Sequence, residues 1–149
     1  MLKYFYDKGL INYPEKQPKD WEEAVRVSCD KLIEKNLITK DYVDAIVQSV
    51  KDNGPYIVIV PGIAMPHAQA ENPGVLGTGI SFTKYMKPVK FHDENTGEDH
   101  YAELFFTLAA KDPDEHLQNI QNLMELLMDE DIVEKLKETN SIEDYKKLL

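Results

Sequence analysis

A single α/β domain, with helices flanking a mixed β-sheet, is the fold class that this sequence predicts. Three observations carry it. Tyr56-Ile57-Val58-Ile59-Val60 is a short β-branched run bracketed by Gly54-Pro55 and Pro61-Gly62, the pattern of a buried strand ending in a turn. Leu104-Phe105-Phe106-Thr107-Leu108 is a second run of that kind. Around these runs, apolar residues at helical spacing follow strong capping signals, and strands interleaved with helices ask for a sheet that helices cover. At 149 residues, 42% hydrophobic and 30% charged, the chain can bury a core of its own and lies outside the disordered range. No repeat, linker or low-complexity segment divides it, so residues 1–149 are expected to form one domain, with 1–19 as an N-terminal arm.

The arm clusters Tyr4, Phe5, Tyr6 and Tyr13 ahead of the polar Pro14-Glu15-Lys16-Gln17-Pro18, which predicts aromatics laid on the domain and then a turn. Asp20 with Glu23 three residues on is a capping box, and Trp21, Ala24, Val25, Leu32 and Ile33 mark one apolar face of a first helix. Thr39 is placed to cap a second helix, with Tyr42, Ala45, Ile46, Ser49 and Val50 near one face. Asn72-Pro73-Gly74 and Gly77 mark turns before a strand over Thr78-Gly79-Ile80-Ser81-Phe82-Thr83. Met86 to Val89 adds a short strand, and Phe91 to Asp99 a polar excursion with Asn95-Thr96-Gly97 at its tip. After the strand at 101–110, Asp112 as cap, Pro113 at the first helical position and Glu115 at the third start a helix striped by Leu117, Ile120, Leu123, Met124 and Leu127. A short helix over 131–137 follows. Ser141 with Asp144 caps a last one running to Leu149.

The net charge of −10 argues against a general nucleic-acid binder, which needs a basic face. An acidic surface of this size keeps a chain soluble or steers basic partners. The single Cys29 excludes an intrachain disulfide and sits in a helical pattern as a small packed residue, a catalytic thiol being the lesser reading. With no basic-then-apolar leader and no long apolar span, a cytosolic location is expected. The glycines at 74, 77 and 79 match neither the dinucleotide fingerprint nor the nucleotide loop, so no cofactor is expected from them.

The chain has four histidines, His67, His92, His100 and His116. Pro66 fixes its own φ and biases Met65 towards extended backbone, so His67 is displayed with little freedom at a strand exit. The competing reading is a packed histidine making two hydrogen bonds. His92 and His100 lie among Asp93, Glu94, Glu98 and Asp99, where a solvated loop outweighs a zinc site because no short ligand spacing is present. His116 falls in the first turn of the capped helix, where free backbone N–H groups and the helix dipole favour anions. Its bland reading is an exposed residue bonded to a neighbour. Strand exits of an α/β sheet are where functional loops converge, so His67 and His116 are expected to face each other at one rim.

Such a pair suits phosphoryl transfer without a metal. Neutral imidazole, with an unperturbed pKa of about 6.5, offers one lone pair to phosphorus while an acceptor on the other ring N–H fixes the tautomer. What remains is positioning and stabilisation of the equatorial oxygens, to which His116 would donate. The apolar Ile63, Ala64 and Met65 would help exclude water.

At these residues the sequence resembles a known family. Gly54 to Ala68, with Pro66-His67 at its centre, resembles the active-site segment of the IIA component of the phosphoenolpyruvate-dependent sugar phosphotransferase system. The likeness is to the mannitol/fructose-like superfamily and most closely to its ascorbate branch. Trp21-Glu22-Glu23-Ala24-Val25, Leu108-Ala109-Ala110 and Asp114-Glu115-His116 extend it over most of the chain. The resemblance implies a mixed sheet flanked by helices. It also implies that His67 takes a phosphoryl group from the histidine-containing phosphocarrier protein and passes it to a cysteine of the cognate IIB component, which serves a membrane IIC transporter. By the same resemblance His116 assists near the phosphoryl group. Ascorbate is the implied sugar, with mannitol, fructose and galactitol as alternatives. Mannitol-type members carry an arginine upstream of the loop, where this chain offers Ser49 or Lys51, its one arginine being Arg26. Two other readings remain at this level: a regulatory module whose phosphorylated His67 alters binding to a protein, and a metal hydrolase using His67, His92 or His100. A second copy of the chain is a further candidate partner.

Overall fold

In the computed structural model, which describes residues 1–149, one long hairpin forms the middle of the sheet. Strands β4 (Gly79–His92) and β5 (Asp99–Ala109) pair antiparallel from Gly79↔Ala109 to His92↔Asp99. Gly97, at φ +75°, turns the chain at the tip, a conformation glycine adopts without a Cβ penalty. The segment 86–89 is therefore not a strand of its own. It continues β4 past a register shift between Lys84 and Val89, where Pro88 has no N–H to give and the Gln17 side chain bonds both the N–H and the C=O of Lys87. Phe91, His92 and Asp99, expected in a polar excursion, belong to the two strands of this hairpin.

Strand β3 (Gly62–Ala64) lies parallel to β5, and β2 (Val58–Val60) closes that edge antiparallel to β3. At the far edge, β1 (Ile11–Asn12) runs parallel to β4, which gives the order β1-β4-β5-β3-β2 in one mixed five-stranded sheet. The expected buried strand over 56–60 is thus an edge strand of three residues, and Val60 is 47% exposed. Prolines at both ends keep the run from extending its ladder, so the β-branched pattern marks a short guarded edge instead of a core strand. Gly62, at φ +93°, turns the chain straight into β3, so His67 leaves from β3 and not from the Tyr56–Val60 run.

Helices cover both faces. The arm is more structured than its composition suggests: α1 (Leu2–Asp7) precedes β1 and drives Phe5, fully buried, against Phe82 and Phe106. The first predicted helix is two, α2 (Trp21–Ser28) and α3 (Asp30–Glu34), broken at Cys29. The break turns Ile33 outward to 40% exposure although Leu32 stays buried. Helix α4 (Lys40–Asn53) starts after Thr39, whose hydroxyl donates to the Gly74 carbonyl and leaves the helix without a side-chain cap. The α5 (Pro113–Leu127), α6 (Glu130–Glu138) and α7 (Ile142–Lys146) helices open on Asp112, Asp129 and Ser141, each accepting a backbone N–H. The last helix stops short of Leu149.

Alternation along β5 divides the core. Phe105 joins Leu32, Tyr42, Ile46 and Tyr85 under α2–α4, whereas Leu104, Phe106 and Leu108 join Phe82, Leu123, Leu136 and Tyr145 on the other face. Phe82 meets the rings of Phe5, Tyr13, Phe106 and Tyr145 at centroid distances of 6.1, 6.1, 5.2 and 5.9 Å.

Phe82→Ala is accordingly expected to cost about 3–5 kcal/mol in denaturant unfolding, and a loss below about 1 kcal/mol would show that this aromatic cluster collapses around the gap. Cys29 is fully buried and its thiol is pushed up to about 12 by desolvation. It should resist a thiol reagent at mildly alkaline pH in the native protein and react in full once the chain is unfolded, which absorbance of the released chromophore measures.

Candidate functional site

Past β3 the chain runs through the buried Met65 and Pro66 to the half-buried His67. This stretch is tied down on both sides. The Met65 N–H donates to the Ile57 carbonyl at 2.7 Å, and the Leu108 N–H of β5 donates to the Pro66 carbonyl at 3.0 Å. The Tyr56 hydroxyl donates to the His67 carbonyl at 2.6 Å. The Ala68 N–H donates at 3.1 Å to the Tyr42 hydroxyl, which itself donates to the Leu108 carbonyl at 2.7 Å.

The ring is oriented as firmly as the backbone. His67 Nδ1 lies 2.7 Å from the Met65 carbonyl oxygen. A carbonyl only accepts, so Nδ1 carries the proton and Nε2 is left with its lone pair. The Tyr56 ring stands perpendicular to the imidazole, with centroids 5.3 Å apart and planes at 89°. The two-bonded packed histidine that the sequence also allowed is not what the fold builds, because one ring nitrogen has no partner within the protein.

His116, the fourth residue of α5, brings its ring to 5.6 Å from that of His67. Burial, with the neighbouring His67 second, holds His116 below the ordinary imidazole value of 6.5, which favours its neutral form at pH 7. The helix start that presents it is fixed by Asp112, which accepts from the Glu115 N–H at 2.9 Å, and by the Thr78 hydroxyl, which donates to the Glu115 carboxylate at 2.6 Å. The rim placement expected for His67 and His116 is therefore what the sheet delivers.

The pair borders a depression of about 540 Å³ lined also by Ser49, Asn53, Tyr56 and the 68–70 segment, with no lysine or arginine among its lining residues. Of the two candidates for the upstream arginine position, Ser49 faces this space. Lys51 turns away to pair with Glu22 at 3.1 Å. His92 lies elsewhere: it is exposed, sits where β4 and β5 meet at the tip end of the hairpin, and holds Asp99 Oδ1 at 2.7 Å through Nδ1. His100, one step along β5 from Asp99, lies at that same end of the hairpin, away from His67, and no cluster of three or more His, Cys, Asp or Glu side chains is arranged to hold a metal ion. Sequence reasoning missed Tyr56 and Asn53, and saw Tyr42 only as a helix-face residue. Hydroxyls that return to the chain 11 and 26 residues away leave no periodic trace.

Sequence and fold are both similar to those of known proteins. The family model described as "Phosphoenolpyruvate-dependent sugar phosphotransferase system, EIIA 2" matches residues 4–149. The mannitol-specific cryptic phosphotransferase enzyme IIA component of Escherichia coli is 43% identical over 123 residues, spanning 83% of this chain and 80% of that protein. The ascorbate-specific PTS system EIIA component of the same organism is 36% identical over 123 residues, spanning 81% and 77%. The NMR structure of a complex of mannitol enzyme IIA with phosphorylated mannitol enzyme IIB, also from Escherichia coli, superposes with a TM-score of 0.75 at 30% identity, covering 93% of this chain and 92% of that one. Relatives named for both sugars stand beside this chain. A match across nearly every residue, carried on the same mixed sheet, makes this chain a member of the IIA type 2 family of the phosphoenolpyruvate-dependent sugar phosphotransferase system.

Proposed function

We propose that His67 is the phosphoryl carrier, accepting the group on Nε2 from the histidine-containing phosphocarrier protein and passing it to a cysteine of the cognate IIB component. The observation that carries this reading is the 2.7 Å contact of His67 Nδ1 with the Met65 carbonyl, which leaves Nε2 as the nucleophile. The Nε2 lone pair forms the new N–P bond as the donor's N–P bond breaks and its electron pair returns to the donor ring. In the second transfer the IIB thiolate attacks phosphorus, and the pair returns to Nε2. No proton has to move on His67, because Nδ1 keeps its hydrogen against the carbonyl throughout.

His116 supplies the charge term. With no lysine or arginine lining the depression, it is the lining group able to become cationic as the phosphoryl oxygens arrive, and it donates to them. Leu117 beside it is 55% exposed, which suits a protein-borne donor that docks on an apolar rim. No helix of the chain is long and apolar enough to cross a membrane, in keeping with a cytoplasmic relay that feeds a separate IIC transporter. The transported sugar is ascorbate on the resemblance and mannitol on the relative of higher identity. A panel of IIB partners decides between them by which cysteine is charged.

With labelled phosphoenolpyruvate, enzyme I and the phosphocarrier protein, the chain should take up one acid-labile, alkali-stable phosphoryl group and discharge it to IIB. His67→Ala should take up none; label persisting in that variant refutes the assignment. His116→Ala should still be labelled but about 100-fold more slowly, the cost of removing one preorganised donor, measured by rapid quench. In the unphosphorylated protein His116 should remain neutral until the pH falls below the ordinary imidazole range. Phosphorylation should then move its titration upward, because the new anion favours the protonated ring, and NMR titration of the ring protons reads the shift.

A further inference from the structure

Both peptide planes that flank the His67 Cα are pinned, and the second of them by two tyrosine hydroxyls. The plane between Pro66 and His67 is held where the Pro66 carbonyl accepts from Leu108. In the plane between His67 and Ala68, the carbonyl accepts from Tyr56 at 2.6 Å and the N–H donates to Tyr42 at 3.1 Å. A peptide group is rigid, so gripping it at both polar ends fixes its rotation, and fixing both flanking planes fixes φ and ψ of the residue between them. We infer that Tyr42 and Tyr56 are positioning residues for phosphoryl transfer, a clamp on the His67–Ala68 peptide that aims Nε2. The inference rests on the reading of His67 as the carrier.

Two features separate this clamp from ordinary packing. Tyr42 is 1% exposed and uses its hydroxyl twice, giving its proton to the Leu108 carbonyl and receiving the Ala68 N–H. Leu108 is thereby bonded at its N–H to Pro66 and at its carbonyl to Tyr42, so β5 sets both planes from one residue. Tyr56 is 37% exposed, which is more than a residue kept for core packing needs. Its ring packs perpendicular to the imidazole at a centroid distance of 5.3 Å, against a ring whose remaining rotation is stopped by the Nδ1 contact with Met65. Backbone and side-chain torsions of His67 are thus all spoken for before a partner arrives. Transfer between nitrogen and phosphorus depends steeply on such alignment.

The clean variant is Tyr56→Phe, which keeps the ring and deletes the hydroxyl at a partly exposed position. Tyr42→Phe is harsher, since it leaves the Ala68 N–H and the Leu108 carbonyl without their shared partner. For Tyr56→Phe we expect full labelling at His67 and phosphoryl transfer slowed about 10- to 100-fold, both from the phosphocarrier protein and to IIB. We also expect the ¹⁵N chemical shifts of the His67 ring to move from the Nδ1–H form towards a mixture of tautomers, a change that mere loss of stability does not produce. Tyr42→Phe should show the same tautomer change at temperatures where its circular dichroism is still native. Wild-type rates and wild-type ¹⁵N shifts in Tyr56→Phe would overturn the clamp while leaving His67 as carrier. Label that does not depend on His67 would instead overturn the carrier reading itself.

Discussion

The contact on which the rest depends is the hydrogen bond from His67 Nδ1–H to the carbonyl of Met65, two residues back along the same chain. It is local and neutral, and worth about 1 kcal/mol in net stability by the usual measure of such bonds. Its leverage is chemical. By occupying one nitrogen it leaves the lone pair on the other and points it into the depression shared with His116. A bond so close in sequence forms only if Met65 and Pro66 keep one conformation, and most of the fold can be seen as the apparatus that makes them do so.

That apparatus is the sheet. β3 is three residues long, too short to hold its own exit, and is wedged between the edge strand β2 and the long hairpin strand β5. Ile57 and Leu108 bond the exit from either side, and buried Met65 and Ala64 anchor it to the two opposite cores. The helices contribute in the same direction. Tyr42 reaches from α4 through the first core to the 68 amide, and the Asp112 cap starts α5 where His116 can meet His67. Core packing and site geometry are here one problem solved once.

Much of this was legible in the residues, for identifiable reasons. The α/β class, the capped helix at Asp112, and the meeting of His67 with His116 follow from proline stiffening, capping chemistry and the convergence of strand exits, all of them local or topological rules. What stayed hidden was long-range or finely registered. A β-branched run reads alike at an edge and in a core, so the place of Val58–Val60 and the inner strand at Gly62–Ala64 were not recoverable from pattern. The break at Cys29 lies inside an unbroken apolar stripe, where the buried Ser28 hydroxyl, donating to Val25 and accepting from Thr107, marks the end of α2 only once strands are in place. The choice between Ser49 and Lys51 needed the Glu22 partner that draws the lysine off.

The guarded edge of the sheet carries a consequence for turnover. In the relay proposed above, a carrier that meets two proteins in succession gains nothing from adhesive surfaces, and an open strand is the stickiest element a β-containing protein can offer. Here the outermost strand spans three residues between Pro55 and Pro61, too brief a template for another chain to zip onto. In that proposed relay, recognition is left to side chains around the two imidazoles, which can engage and let go on the timescale of a transfer.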